Sequence, residues 1–232
     1  MALPLRAADF DFNPQITRDE FRKFSRLVAQ GIFASPMQPS GASGLLRFDI
    51  GVAATGVQVD TNSTYWQHAV SKDITVGDYV AVPRIVVSKG LSAATIAASY
   101  AKVQDTGAQI LGGSLDVPII DGGVIKPTLA LRGSYSTLRG VDVYGLNTYG
   151  LELFLGKGFG PVTPYGAVGR QRSDARGTIP ATSRTAEITL RDKSTINRYT
   201  AGVQFNLLFL RLDVEANQAE ARSYGAKVSF GF

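Results

Sequence analysis

The chain has 232 residues, of which 44% are hydrophobic and only 19% charged, with 25 glycines, no cysteine and a net charge of +5. Crossing a bilayer as a helix takes roughly 20 consecutive apolar residues, and no such run exists: a stretch such as Leu207–Leu210 is broken by Arg211 and Asp213. Helical spanning is therefore excluded, barrel spanning is not, disulfides and thiolate metal sites are excluded, and no Lys/Arg run is dense enough for nucleic acid.

The opening MALPLR lacks the apolar core of a secretory leader, so export expects a leader outside this sequence. Thr17 and Glu20 have the spacing of a capping box, which satisfies the free amides of a helix start. Phe21, Phe24, Leu27, Val28 and Ile32 then recur at helical spacing opposite Arg22, Lys23 and Arg26. This predicts one amphipathic helix over residues 17–33. Pro36, Pro39 and Gly41–Gly44 end it and form a linker. The chain thus divides into an N-terminal extension, residues 1–44, and a remainder, residues 45–232.

From Leu45 the period becomes two, in ten segments beginning near Leu45, Tyr79, Thr95, Ala108, Thr128, Thr148, Val162, Arg198, Leu208 and Tyr224. Tyr199, Ala201, Val203, Phe205 and Leu207 oppose Thr200, Gly202, Gln204 and Asn206, for example. Ala186, Ile188 and Leu190 alternate inside a connection spanning Gln171–Asn197. Either the eighth strand projects beyond the membrane or an extra hairpin exists, so eight or twelve strands also satisfy the pattern.

Alternation alone does not say which face is inside. Three features turn the apolar set toward lipid. Tyr224, Val228, Phe230 and Phe232 alternate up to the chain end, resembling the signal by which outer-membrane barrels are recognised for assembly. Tyr79, Tyr135, Tyr149, Tyr165, Tyr199 and Tyr224 lie toward strand ends on the apolar set, where interfacial girdles sit. The two longest connections, Asp60–Gly77 and Gln171–Asn197, fall on one side, as expected of long outside loops over short periplasmic turns. The expected fold is an all-β, transmembrane, antiparallel up-and-down barrel of about 10 strands with an N-terminal amphipathic helix, in a bacterial outer membrane with both termini periplasmic.

The segments PTLALRGSYSTLRGV (Pro127–Val141), YGLELFLGKGFGPVTPYGAVGR (Tyr149–Arg170) and SYGAKVSFGF (Ser223–Phe232) resemble a family of outer-membrane β-barrel proteins of proteobacteria without an assigned activity. The resemblance implies a fold and a location. It brings no catalytic residues.

With the apolar set on lipid, the predicted lumen lining is Arg47, Asp49, Arg84, Asp116, Arg132, Glu152, Arg170, Arg172, Arg211, Asp213, Glu215 and Lys227. Such charges are costly unless paired or hydrated, so they form either a structural network or a narrow hydrated path. Inward glycines (Gly51, Gly112, Gly150, Gly156, Gly166, Gly202 and Gly225) would leave a cavity or let neighbours such as Phe154 pack. The helix either lies on the periplasmic membrane surface or plugs the lumen from the periplasmic end through Phe21, Phe24 and Ile32.

The leading functional expectation is a narrow passive channel for a small compound, hydrophobic ones included, plugged or gated by the helix. The alternative is a closed barrel acting through its long loops. A lipid-modifying enzyme is the third reading, resting on His68 with Asp60, Ser63 and Ser71 nearby; the expectation is that the chain is not an enzyme. With one histidine and no cysteine, no zinc pattern, calcium loop or cofactor motif is recognised. Expected partners are outer-membrane lipids and lipopolysaccharide, the barrel assembly machinery and a small solute.

Overall fold

A computed structural model describes residues 10, 12–40, 47–70, 77–102, 107–123, 126–181 and 187–231. The first element is α1 (Arg18–Ile32), followed by β1 (Phe48–Gln58), α2 (Thr64–Gln67), β2 (Tyr79–Gly90), β3 (Thr95–Lys102), β4 (Gln109–Ile120) and β5 (Thr128–Arg139). Then come β6 (Tyr144–Gly156), β7 (Val162–Ile179), β8 (Ile188–Leu207), β9 (Leu210–Gln218) and β10 (Arg222–Gly231). Every strand pairs antiparallel with its chain neighbours, and β1 closes on β10 with Ala54 opposite Ala226. The result is a closed barrel of ten strands in simple up-and-down order.

Burial is inverted relative to a water-soluble barrel. Val52 is 62% exposed, Leu151 56% and Phe230 58%, and Ile85, Leu115, Leu153, Val168 and Val214 join them on the outside. Arg132 is 0% exposed, Glu152 2% and Lys227 2% on the inside. A sheet that turns its aliphatic residues out and its charges in is built for a hydrocarbon surround, and the chain has the fold of an outer-membrane β-barrel. Tyr100, Tyr135, Tyr149, Tyr199 and Tyr224 face out with this belt.

One end of the barrel, the short-turn end, holds the start of β1, the end of β10 and brief connections such as Leu208–Phe209 between β8 and β9. The other, the loop end, holds residues 59–78, with α2, and the β7–β8 tip. The expected second long loop is largely strand. β7 and β8 stay paired from Val162↔Phe205 to Ile179↔Ile188, whereas β9 accompanies β8 only from Leu207 to Tyr199. The alternation at Ile188 and Leu190 is thus the eighth strand rising as a flange above the rim, and among the described residues no extra hairpin is present.

The N-terminal extension runs inside this wall. Its helix begins as its sequence directs. The Thr17 Oγ1 accepts the Glu20 amide at 3.2 Å, and the Glu20 carboxylate accepts the Thr17 amide at 2.8 Å. The helix sits at the loop end against the inner face of the flange, with Arg22 paired to Asp192 of β8 at 3.0 Å. Phe21 and Phe24 enter an aromatic cluster with Phe10, Phe12, Trp66 and Tyr144, at ring-centroid separations of 5.3 to 6.3 Å. Leu27 and Ile32 are buried with them, and Val28 is half-buried.

Residues 33–40 then descend through the lumen toward the start of β1, buried almost throughout. This corrects two expectations about the helix. It does not lie on the membrane surface, and it is at the end of the barrel opposite the start of the first strand. Among the described residues, Phe10 is at the loop end and Gly231 at the short-turn end. The physical reason lies in the lumen: a wall of paired charges and small residues can satisfy and seat an extended backbone, which the hydrocarbon region cannot.

Candidate functional site

The candidate site is the lumen wall together with the segment threaded through it. Register builds its charge pairs. Asp116 and Arg132 stand directly opposite each other on β4 and β5. Arg132 donates to both Asp116 oxygens, from Nε at 2.6 Å and Nη2 at 2.7 Å, a bidentate geometry that suits a buried pair. Its guanidinium also lies 4.0 Å from the centre of the Phe154 ring. Lys227 of β10 faces Asp213 of β9 in register and places Nζ 3.4 Å from Asp213 and 3.6 Å from Asp49. Asp49 is held further by Arg211 at 2.7 Å and by Ser229 at 3.0 Å. The Glu215 carboxylate accepts from the Tyr165 hydroxyl at 2.9 Å.

The same bases reach the backbone of the threaded segment. Arg84 donates to the carbonyls of Phe33 at 2.6 Å and Gly31 at 3.2 Å. Lys227 donates to the Pro36 carbonyl at 3.1 Å, and Arg132 to that of Gln38 at 3.1 Å. Ser35 donates to Glu215 at 3.2 Å, and the Gln38 side chain accepts from Ser88 at 3.2 Å and Lys227 at 3.3 Å. Most of these bonds go to main-chain carbonyls, so the wall grips a peptide backbone more than particular side chains.

Arg84 has a second role. The last carbonyls of a helix have no partner within it and carry its negative end, and the last turn of α1 contains no basic residue. Arg84, supplied from β2, meets that need across the lumen, and Thr55 accepts its remaining contact at 2.5 Å.

Inward glycines make the room. A Cβ at Gly150 would lie 2.4 Å from the Phe33 ring, one at Gly112 2.8 Å from Ala34, and one at Gly225 2.5 Å from Met37. At the loop end, a Cβ at Gly177 would meet Phe21 at 2.6 Å. These positions are grooves already filled by the N-terminal segment.

Of the residues predicted to line the lumen, Asp49, Arg84, Asp116, Arg132, Glu152, Asp213, Glu215 and Lys227 are buried in the interior. Arg211 is partly buried on Asp49, and Arg47 is half-buried just before β1. Arg170 and Arg172 are exposed on the outer face, and Tyr165, expected outside, is inside. Gly166 moves outward with that shift, because a slip of one residue exchanges the two faces of a whole strand.

The cause is Arg198, which sequence reasoning missed. Arg198 of β8 reaches Glu152 of β6 at 3.3 Å across β7, and Gly169 is the residue beneath, in register with both. A Cβ at Gly169 would lie 2.7 Å from the Glu152 Cγ. Gly169, having no side chain, therefore faces inward beneath that pair. Arg198 shares the parity of Thr200 and Gln204, which was the available signal, but it stood at the supposed start of its strand. It also donates to Asn217 at 2.8 Å and lies 4.2 Å from the Phe33 ring.

Tyr224, Val228 and Phe230 of the expected assembly signal face outward, and Phe232 lies outside the described residues, as does the Gly41–Gly44 linker. His68 holds the helix: its Nδ1 is 3.2 Å from the Glu20 carboxylate. Burial alone would raise the Glu20 pKa, but hydrogen bonds from the Thr17 backbone and from Thr64, His68 and Thr17 outweigh it and lower it to about 2. Ser63 donates to the Asp60 carbonyl at 2.6 Å, and Ser71 lies outside the described residues. Among the described residues no cluster of metal-ligating side chains occurs.

No family model matches the chain, and no curated protein matches its sequence. Solved structures of outer-membrane barrels do match. The N-terminal β-barrel domain of OprF from Pseudomonas aeruginosa matches at 15% identity and TM-score 0.38, over 79% of this chain and 97% of that one. The attachment invasion locus protein Ail of Yersinia pestis matches at 11% identity and TM-score 0.35, over 80% and 97%. The outer membrane protease OmpT of Escherichia coli matches at 9% identity and TM-score 0.43, over 85% and 100%. The last of these corrects one expectation: since a matched barrel is a protease, a barrel of this kind is no ground for reading the chain as a non-enzyme.

Proposed function

We propose that the protein is a narrow conduit of the outer membrane, held shut by its own N-terminal segment, with its short-turn end toward the periplasm. In this reading residues 1–44 are the closing element and residues 45–232 the conduit. The observation that carries it is the grip of Arg84, Arg132 and Lys227 on the carbonyls of Phe33, Gln38 and Pro36. Bonds to main-chain carbonyls are exchangeable: water or a small polar solute can take the place of a peptide carbonyl without leaving Arg132 and Lys227 unpaired, because Asp116, Asp213 and Asp49 remain beside them. The wall alternates in charge and is polar over most of its length, so the solute it suits is small and polar, in contrast to the hydrophobic compound expected earlier.

The test is single-channel conductance in planar bilayers of the full chain and of a form lacking residues 1–44, each checked for folding by heat-modifiable migration. Low or flickering conductance from the full chain and steady conductance from the shortened form are expected. A shortened barrel that folds and stays silent would sink the conduit reading and leave a closed barrel acting through its loop end.

A further inference from the structure

The outer face of the β7–β8 flange carries a basic cluster that the lumen does not use. Arg170, Arg172 and Arg176 project outward from β7, and Arg191 and Lys193 from β8, all exposed. Arg176 and Arg191 are directly opposite in register. Like charges so placed repel unless an anion lies between them. Asp174 is the one acid on this face of the two strands, and it is committed to Lys193 at 3.2 Å. Among the described residues no carboxylate is within ion-pair distance of Arg170, Arg172, Arg176 or Arg191.

The height of the cluster identifies what it meets. Arg172 is in register with Tyr149 on β6, whose ring is packed 5.2 Å from that of Tyr135, and Tyr199 projects from the same outer face of β8. Exposed tyrosines on the lipid face mark the boundary between hydrocarbon and head groups. Leu153 and Val168 are in register with Tyr199, and Leu151 is one step above them, level with Arg170. Arg172 stands level with Tyr149, and Arg176, Arg191 and Lys193 stand beyond it toward the loop end, on the head-group side of that boundary.

We propose that this face binds the phosphate groups of a phosphorylated lipid in the leaflet around the loop end, with Arg172, Arg176 and Arg191 as its principal contacts. With the loop end outward, as in the function proposed above, that lipid is of the lipid A class. Guanidinium groups suit it because each presents parallel donors to two phosphate oxygens. A phosphate between Arg176 and Arg191 removes the repulsion of the free face. Each basic side chain near an anionic surface contributes on the order of a fivefold preference.

The test uses the full chain in phosphatidylcholine bilayers containing a small fraction of spin-labelled lipid A, reading association relative to the labelled host lipid. Bis-phosphorylated lipid A should associate on the order of a hundredfold more strongly than the host, three contacts at about fivefold each. That preference should fall to near parity in the triple variant Arg172→Gln, Arg176→Gln, Arg191→Gln and be retained only in part in the corresponding triple lysine variant. Should the triple glutamine variant not fold, Arg176→Gln alone is expected to lower the preference by about fivefold. Equal association of dephosphorylated lipid A, full displacement by millimolar inorganic phosphate, or an unchanged preference in the folded glutamine variants would each overturn the proposal.

Discussion

Arg84 donates to the Phe33 carbonyl at 2.6 Å, so a base on the second strand of the barrel terminates a helix that lies 51 residues earlier in the chain. The helix has no positive group of its own in its last turn, and the wall supplies one. Three consequences concern how the threaded segment is held, and a fourth concerns the far end of the helix.

Replacing Arg84 by alanine leaves the carbonyls of Gly31 and Phe33 buried without their donor. A loss of about 1–3 kcal/mol is expected, concentrated in the segment and not in the strands. Hydrogen exchange followed by mass spectrometry should find residues 29–40 exchanging faster with β-strand protection unchanged. Uniform loss of protection over the barrel would count against a local role.

Removing only one member of the Asp116–Arg132 pair is expected to be much worse than removing both. Arg132→Ala strands a buried carboxylate, at a cost of about 3–5 kcal/mol. Arg132→Met combined with Asp116→Leu should recover most of it, apart from the lost contact to the Gln38 carbonyl. Urea unfolding of the reconstituted variants measures the difference; equal loss in the single and double variants would mean that the charge pairing is unimportant.

Gly150 and Phe33 compete for the same space. Gly150→Val is expected to destabilise by about 1–3 kcal/mol through overpacking, and Phe33→Ala in that background should restore part of it. The signature is a favourable coupling in a double-mutant cycle. Additive effects would mean that Phe33 is not seated at Gly150 in the membrane.

Glu20 lies at the loop end, outside the spanning strands, and its pKa is lowered from 4.5 to about 2. A carboxylate with a depressed folded-state pKa stabilises above its unfolded value, and that contribution is lost as pH falls through the folded value. The Thr17–Glu20 cap and its tie to His68 should therefore hold at pH 5 and be lost between about pH 4.5 and 2. Side-chain carbon NMR of Glu20 should titrate near the lower bound, and Glu20→Gln should show no change over that window. A midpoint near 4.5 would refute the hydrogen-bonded cap.

Much of this protein was legible in its sequence because the signals are local. Thr17 and Glu20 sit three apart, so the helix start follows from the chain itself. The alternation in β6, β8, β9 and β10 places Leu151, Phe205, Val214 and Val228 on one face whatever the neighbouring strands do. Local pattern failed in β7, where glycine, alanine and arginine alternate with no strong apolar set. Only the Glu152–Arg198 contact over Gly169 decided its facing, and that contact joins residues 46 apart. The path of the N-terminal segment was illegible for the same reason. Phe21 and Phe24 announce an apolar face, but whether it meets lipid or lumen depends on Arg84, Arg132 and Lys227, brought together only when β1 closes on β10. The sequence by itself determined the membrane barrel, the faces of the clearly alternating strands and the start of the helix. The closed tertiary structure decided that the helix lies inside, at the loop end, because satisfying buried charges and backbone carbonyls depends on every strand at once.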